Sequence, residues 1–302
     1  MPAVPTPTLL VTAATGQLGR LVVDALLETV PASTVVAGAR DPDKAAAIRE
    51  KGVTVRVADY ARPDTLARAL EGVNRLLLIS GSEIGQRTAQ HRNVIAAAKA
   101  AGVGFIAYTS ILHADRSPLF LAEEHRATEA ALAESGVPFA VLRNGWYTEV
   151  FTWRLPLALK LGVLQGAAGD GRISAAARAD YAWAAATVLA GGDHAGRTYE
   201  LAGDAAFTLA ELAAAAAEAS GTPLRYEDLK KAAFRTAALE AGVPEMFADI
   251  LSDADAGTAK GALFETGGTL ARLTGRPTTP FRATIADFVR SSAAAPGRSH
   301  AG

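Results

Sequence analysis

The stretch Leu9-Leu10-Val11-Thr12-Ala13-Ala14-Thr15-Gly16-Gln17-Leu18-Gly19, running into Arg20-Leu21-Val22-Val23-Asp24-Ala25-Leu26-Leu27, constrains the fold more than any other. It reads as a short buried strand, a turn of small residues and a helix whose Leu18, Leu21, Val22, Ala25 and Leu26 fall on one face. A helix opening in this way presents backbone N–H groups and the positive end of its dipole to an anion. Gly16 lets the backbone approach a pyrophosphate, and Gly19 lets the helix pack close to the strand. The dinucleotide fingerprint carries three glycines. Here the first is Ala13, so the pattern is A-x-x-G-x-x-G.

Strands and helices alternate through the first half. Strands are predicted at 8–11, 34–39, 53–57, 75–80, 104–109 and 139–143. Helices are predicted at 17–29, 42–51, 63–70, 84–101 and 121–135. Leu76-Leu77-Leu78-Ile79 is apolar throughout, as a central parallel strand requires. The alternation predicts an α/β fold of Rossmann type, a doubly wound parallel sheet with helices on both faces. After Trp146 the regularity fades. A helix at 180–190, a strand at 198–202 that rejoins the sheet, and an alanine-rich helix at 209–220 precede a helical region with glycine breaks at 223–275. The expected division is a dinucleotide-binding domain over 8–150, a smaller, mostly helical substrate or lid lobe over 151–290, and a disordered tail over 291–302.

Composition narrows the function. The 302 residues carry a net charge of −1 and no basic block, which argues against a nucleic-acid surface. There is no cysteine, so disulfides, thiolate nucleophiles and cysteine metal sites are excluded. The proline-rich start, Met1 to Pro7, lacks the basic region of a signal peptide, and no apolar run approaches the roughly 18 residues of a membrane helix. A cytoplasmic protein without membrane attachment is expected.

The ends of the predicted strands carry the cofactor reading. After the second strand, Arg40 suits the 2′-phosphate of NADP, whereas Asp41 suits the ribose hydroxyl of NAD or caps the helix at Pro42. After the third, Asp59 is placed to bond an adenine amino group or to cap the next helix, with Tyr60 beside it. After the fourth, Ser80, Gly81 and Ser82 leave room for ribose and nicotinamide.

Seven segments together resemble one family. They are Thr15 to Gly19, Val30 to Ser33, Leu76 to Ser80, Gln90 to Ile95, Phe105 to Ser110, Leu142 to Tyr147 and Arg178 to Tyr181. The chain resembles the bacterial NAD(P)H:quinone oxidoreductases of type 2, in the NmrA-like branch of atypical short-chain dehydrogenases and close to triphenylmethane reductase. The likeness runs from about residue 8 to 290, through Lys260 to Phe264 and Gly275 to Thr278. It implies NADPH as cofactor and a quinone, a small molecule, as substrate. It also implies cofactor contacts at Thr12, Ala13, Thr15, Gly16, Gln17, Leu18, Arg40, Ser80, Gly81, Ser82, Asn144, Gly145, Trp146, Tyr147, Glu149 and Arg178. Ala13, where the family has glycine, is the departure.

Short-chain dehydrogenases that reduce carbonyls use a Tyr-x-x-x-Lys pair. Its one occurrence here, Tyr226 to Lys230, lies far beyond the sheet, and the helix after the fifth strand offers His125 and Glu129 instead. A quinone is already electron-poor, so positioning the two rings does most of the work and the protein needs only donors for the developing oxyanion. Asn144, Tyr147 and His125 are the candidates, with Trp146 as a pocket wall and His91 and His113 as structural residues. No second nucleotide motif for a flavin and no metal site is seen. Two alternatives stay open: reduction of another planar electron-poor acceptor, and an NADP-binding redox sensor that acts on a protein partner without turnover. The protein is expected to be a monomer or homodimer.

Overall fold

The computed structural model describes residues 7–294. Its elements are β1 (Leu9–Val11), α1 (Gln17–Leu27), β2 (Val35–Ala39), α2 (Ala46–Arg49), β3 (Thr54–Val57), α3 (Pro63–Ala69), β4 (Arg75–Leu78), α4 (Arg87–Ala100), β5 (Phe105–Ile111), α5 (Ala122–Ser135) and β6 (Phe139–Asn144). There follow α6 (Thr148–Thr152), α7 (Leu155–Leu161), β7 (Val163–Gly166), α8 (Arg178–Ala190), β8 (Thr198–Leu201), α9 (Leu209–Ser220), β9 (Arg225–Asp228), α10 (Lys231–Glu240), α11 (Glu245–Thr258), α12 (Thr269–Thr274) and α13 (Phe281–Ala294).

Seven strands form one parallel sheet in the order β3-β2-β1-β4-β5-β6-β8. Successive side chains of a strand face opposite ways, which explains the continuous apolar runs. Leu9, Val11 and Leu77 enter the core under α1 and α8, while Leu10, Leu76 and Leu78 enter the core under α3, α4 and α5. All six are essentially inaccessible to solvent, so cutting any of these leucines to alanine should cost about 2–5 kcal/mol. The chain order reverses at β1, between β2 and β4, and opens a crevice at their carboxyl ends, where open α/β sheets bind ligands.

The second half does not separate cleanly from the first. Helix α8 packs on α1 in the sheet's core, and β8 pairs with β6 through Asn144↔Leu201. The remaining lobe has its own core around Phe151, Leu155, Phe207, Leu212 and Ile285, and a two-stranded parallel sheet of β7 and β9.

Several boundaries differ from the sequence reading. The predicted helix at 42–51 is a 3₁₀ turn, Pro42–Ala45, followed by the single turn α2, and it stops at Gly52, whose φ is +80°. The helix predicted from Ile84 begins at Arg87, because Gly85 takes a φ of +85° and donates its N–H to Glu124. The helix α13 continues through Ser291 to Ala294, where a disordered tail was expected; residues 295–302, like residues 1–6, lie outside the described part. Among the described residues no helix is long and apolar enough to cross a membrane.

Candidate active site

The turn between β1 and α1 is built around Ala13. Its φ of +47° is left-handed, a conformation that costs most residues about 1–2 kcal/mol and glycine almost nothing. The turn needs this conformation because the Ala13 carbonyl must receive the Gly16 N–H at 2.9 Å while Ala14 N–H reaches Gly38 O at 3.0 Å on β2. Helix α1 then passes so close that a Cβ on Gly19 would lie 2.3 Å from Ala13 O and 2.7 Å from Ala14 Cα.

No side chain caps α1, and its first turn holds no acidic residue. Within the helix the first amide bonded back along the chain is that of Arg20, to Gly16 O at 3.1 Å, which leaves the N–H groups of Gln17, Leu18 and Gly19 without an acceptor among the described residues. Gly16 and Gln17 are exposed at this mouth, Thr15 is half-buried, and Leu18 turns into the core. This end of the site fits a pyrophosphate: free amides, a helix dipole and no carboxylate in the first turn.

Thr12 and Tyr60 hold the crevice together. Thr12 Oγ1 donates to Leu77 O at 2.9 Å and accepts Ile79 N–H at 3.0 Å, and the Tyr60 hydroxyl bonds both Thr12 Oγ1 and Ile79 O. Burial pushes the Tyr60 hydroxyl far up, so it stays a donor. Asp59 is a turn residue: its Oδ1 accepts Ala61 N–H at 2.9 Å. Asp41 caps the following 3₁₀ turn through Asp43 N–H at 3.0 Å. Arg40 stands exposed at the end of β2.

The Ser80–Ser82 loop is fastened from behind. Ser80 N–H donates to Thr109 Oγ1 at 2.9 Å, and Gly81 N–H donates to His91 Nε2 at 3.0 Å. His91 therefore carries its proton on Nδ1 and gives it to Thr128 Oγ1 at 2.9 Å. Burial, then the Arg87 charge, pulls the His91 imidazole down to about 3.

At the other end of the crevice, Asn144 closes β6. It is 6% exposed, and its Oδ1 is buried without a hydrogen-bond partner. An unpaired buried acceptor costs about 1–3 kcal/mol, so this oxygen marks the place where a donor belongs, and the nicotinamide carboxamide is such a donor. Tyr147 lies beside it. Burial raises the Tyr147 hydroxyl, opposed by the neighbouring Asn144 side chain and by the charge of Arg178. The Arg178 guanidinium lies 4.7 Å from the Tyr147 ring centroid. Glu149 receives the Arg178 backbone N–H on both oxygens, at 2.9 and 3.0 Å, and ties α6 to the start of α8. Gly145 N–H reaches Leu201 O at 2.7 Å, and Trp146 packs 6.1 Å from Phe151.

The structure does not bring His125 to this edge. Its ring is buried over the middle of β5 with Nδ1 2.7 Å from the Tyr108 hydroxyl. Tyr108 pairs with Leu78 and Val141, well short of the carboxyl end. Burial, then the charge of Arg87, drops the His125 imidazole to about 3. It is neutral and walled in, which corrects its assignment as a proton donor. Glu129 is likewise committed, bonding Arg143 through both oxygens at 3.1 and 2.8 Å. His113 donates to Phe264 O at 3.1 Å in the lobe, and Tyr226 sits on β9 bonded to Asp228. Sequence reasoning missed the roles of Thr109, Glu83 and Gln90 near the loop, since no local pattern marks them.

A doubly wound parallel sheet with a free helix N-terminus at its switch point and an orphaned amide oxygen across the crevice defines a dinucleotide-dependent oxidoreductase of the Rossmann class. Residues 13–190 match the NAD(P)H-binding family, and the chain belongs to it. It is 55% identical to quinone oxidoreductase 2 of Escherichia coli (strain K12) over 89% of this chain and 94% of that one. The solved structure of the NADPH-dependent quinone oxidoreductase from Escherichia coli, complexed with NADPH, superposes with a TM-score of 0.91 at 53% identity, covering 93% of this chain and 99% of that one. The triphenylmethane reductase of Citrobacter sp., complexed with NADP(H), superposes with a TM-score of 0.89 at 37% identity, covering 93% of this chain and all of that one (100%).

Proposed function

We propose that the protein reduces quinones to hydroquinones at the expense of NADPH. The observation that carries the reading is the pairing of two unsatisfied sites across one crevice: the free amides of Gln17 to Gly19 and the buried Asn144 Oδ1. One fits the pyrophosphate and the other the carboxamide of a single extended dinucleotide. The likeness to the Escherichia coli quinone oxidoreductase supports the acceptor class.

The chemistry that a bound NADPH supplies is hydride donation to the quinone ring, which with one proton gives the hydroquinone. The chain's own part is positional. Amides at the start of α1 hold the pyrophosphate, and Arg40 reads the 2′-phosphate. The loop of Ser80, Gly81 and Ser82 walls the ribose side, with its backbone fixed by Thr109 and His91. Asn144 Oδ1 accepts from the carboxamide and sets the ring's rotation. The Tyr147 hydroxyl, kept protonated by burial, donates toward the developing quinone oxyanion, and Arg178 adds positive charge above the Tyr147 ring. Solvent supplies the proton. Trp146 lines the acceptor side.

The test is stoichiometry. Purified protein without added flavin, given NADPH and a small 1,4-benzoquinone, should form one hydroquinone for each NADPH consumed. NADPH that binds tightly yet is not consumed with any quinone or planar dye sinks the reading in favour of a redox sensor.

A further inference from the structure

Arg40 reaches across the crevice mouth. Its Nη1 lies 2.6 Å from Oε1 of Glu83. Arg40 follows β2, whereas Glu83 follows β4 and the Ser80–Ser82 loop, so the pair spans the carboxyl end of β1 from one wall to the other. The second Glu83 oxygen accepts from Gln90 Nε2 at 2.7 Å, on α4. Gln90 in turn packs against the same loop, its Oε1 3.4 Å from where a Cβ on Gly81 would stand. The Gln90 amide, then Arg40, holds the Glu83 carboxyl below the usual carboxylate range. A carboxylate thus occupies the guanidinium that stands at the ribose position of the crevice.

We propose that Glu83 determines cofactor specificity: it competes with the 2′-phosphate for Arg40 and so lowers the preference of the site for NADPH over NADH. The inference rests on Arg40 as reader of the 2′-phosphate. A 2′-phosphate carries about −1.5 to −2 charges at neutral pH, enough to displace a monoanionic carboxylate from a guanidinium. It must still open the pair first and then lie beside the released carboxylate. NADH makes no such demand. Its ribose 2′-hydroxyl is a donor, and a carboxylate near the end of the second strand is the group that receives it in NAD-binding sites. Removing the Glu83 charge therefore favours NADPH and does not favour NADH. The pair is exposed, with 71% of the Arg40 and 47% of the Glu83 side chain accessible, so the effect is the modest one of a surface ion pair and fades with salt.

Glu83→Gln tests this, because it keeps the length of the side chain and its contact with Gln90 while removing the charge. Binding of NADPH and of NADH to the full chain is titrated calorimetrically at low and at physiological ionic strength, with thermal unfolding confirming an intact fold. The Kd for NADPH should fall about two- to fivefold at low salt. The Kd for NADH should stay level or rise, and the gain in NADPH preference should shrink as salt is added. Glu83→Asp, which keeps the charge on a shorter stem, should fall between. An unchanged NADPH/NADH ratio in Glu83→Gln, while Arg40→Ala collapses that ratio, overturns the role of Glu83 alone. A ratio unaffected by Arg40→Ala overturns the Arg40 reading and this inference with it. Equal weakening of both cofactors in Glu83→Gln assigns Glu83 to loop support and also overturns the proposal.

Discussion

Replacing Ala13 by glycine should stabilise the protein. Ala13 holds a φ of +47° in the first turn of the crevice, and a left-handed residue with a Cβ is strained by about 1–2 kcal/mol. Glycine relieves that strain but gives back about 0.5–1 kcal/mol through the greater freedom of its unfolded chain. The net gain is about 0.5–1 kcal/mol. Unfolding entropy of about 2.1 cal/mol/K per residue gives about 0.6 kcal/mol/K for a chain of 302 residues, so the gain raises Tm by about 1–1.5 °C. Scanning calorimetry resolves this, and Ala14→Gly is the control. Ala14 is fully buried in the core and is not among the residues with positive φ, so the same exchange one position later should lower Tm. The turn already has the backbone that glycine prefers, so the Kd of Ala13→Gly for NADPH should stay within about twofold of the parent, on the view that the fold sets φ here. A fall in Tm for Ala13→Gly comparable to that of Ala14→Gly would show that Ala13 carries no backbone strain.

Three further outcomes are expected. Gly19→Ala places a methyl 2.3 Å from Ala13 O and 2.7 Å from Ala14 Cα. It should cost about 1–3 kcal/mol or more and weaken NADPH binding; calorimetric unfolding with unchanged Tm contradicts the packing described. Asn144→Ala should lower kcat with 1,4-benzoquinone about ten- to a hundredfold while NADPH still binds, and a wild-type kcat in stopped-flow turnover removes Asn144 from the site. His91 and His125 are both pulled from 6.5 to about 3 by burial, so the unfolded chain takes up protons that the folded one refuses. Their stabilising effect is complete above pH 6.5 and declines as pH falls toward 3, by up to about 1.4 kcal/mol per pH unit for each imidazole. His125→Gln should flatten that decline in urea titrations by one imidazole's share, and an unchanged slope counts against a buried neutral ring.

The parallel sheet was legible because local patterns encode it. Leu76 to Leu78 form an unbroken apolar run that only a strand covered on both faces uses, Pro63 opens α3, and Gly102 ends α4 with a φ of +71°. The lobe was less so: α6, α7, β7 and β9 have four to seven residues each, too short for a period to emerge. Within the site, Ala13 was visible as a departure from a glycine pattern, but its positive φ belongs to the turn and not to the residue. The role of Glu83 and the partners of the structural His91 were not legible, because they depend on residues brought together by the sheet: Arg40 lies 43 positions from Glu83 and Thr128 lies 37 from His91. His125 misled because helical spacing gives a residue's face but not its depth, and its face turns inward onto Tyr108.

NADPH-dependent quinone reduction is tested by steady-state turnover of the purified protein with a small 1,4-benzoquinone, comparing kcat/KM for NADPH and NADH in the parent and in Arg40→Ala. Rapid turnover favouring NADPH is expected, with that preference falling about tenfold or more in Arg40→Ala as a charge-assisted contact is lost. Binding of NADPH with no turnover in the parent would rule out a quinone reductase.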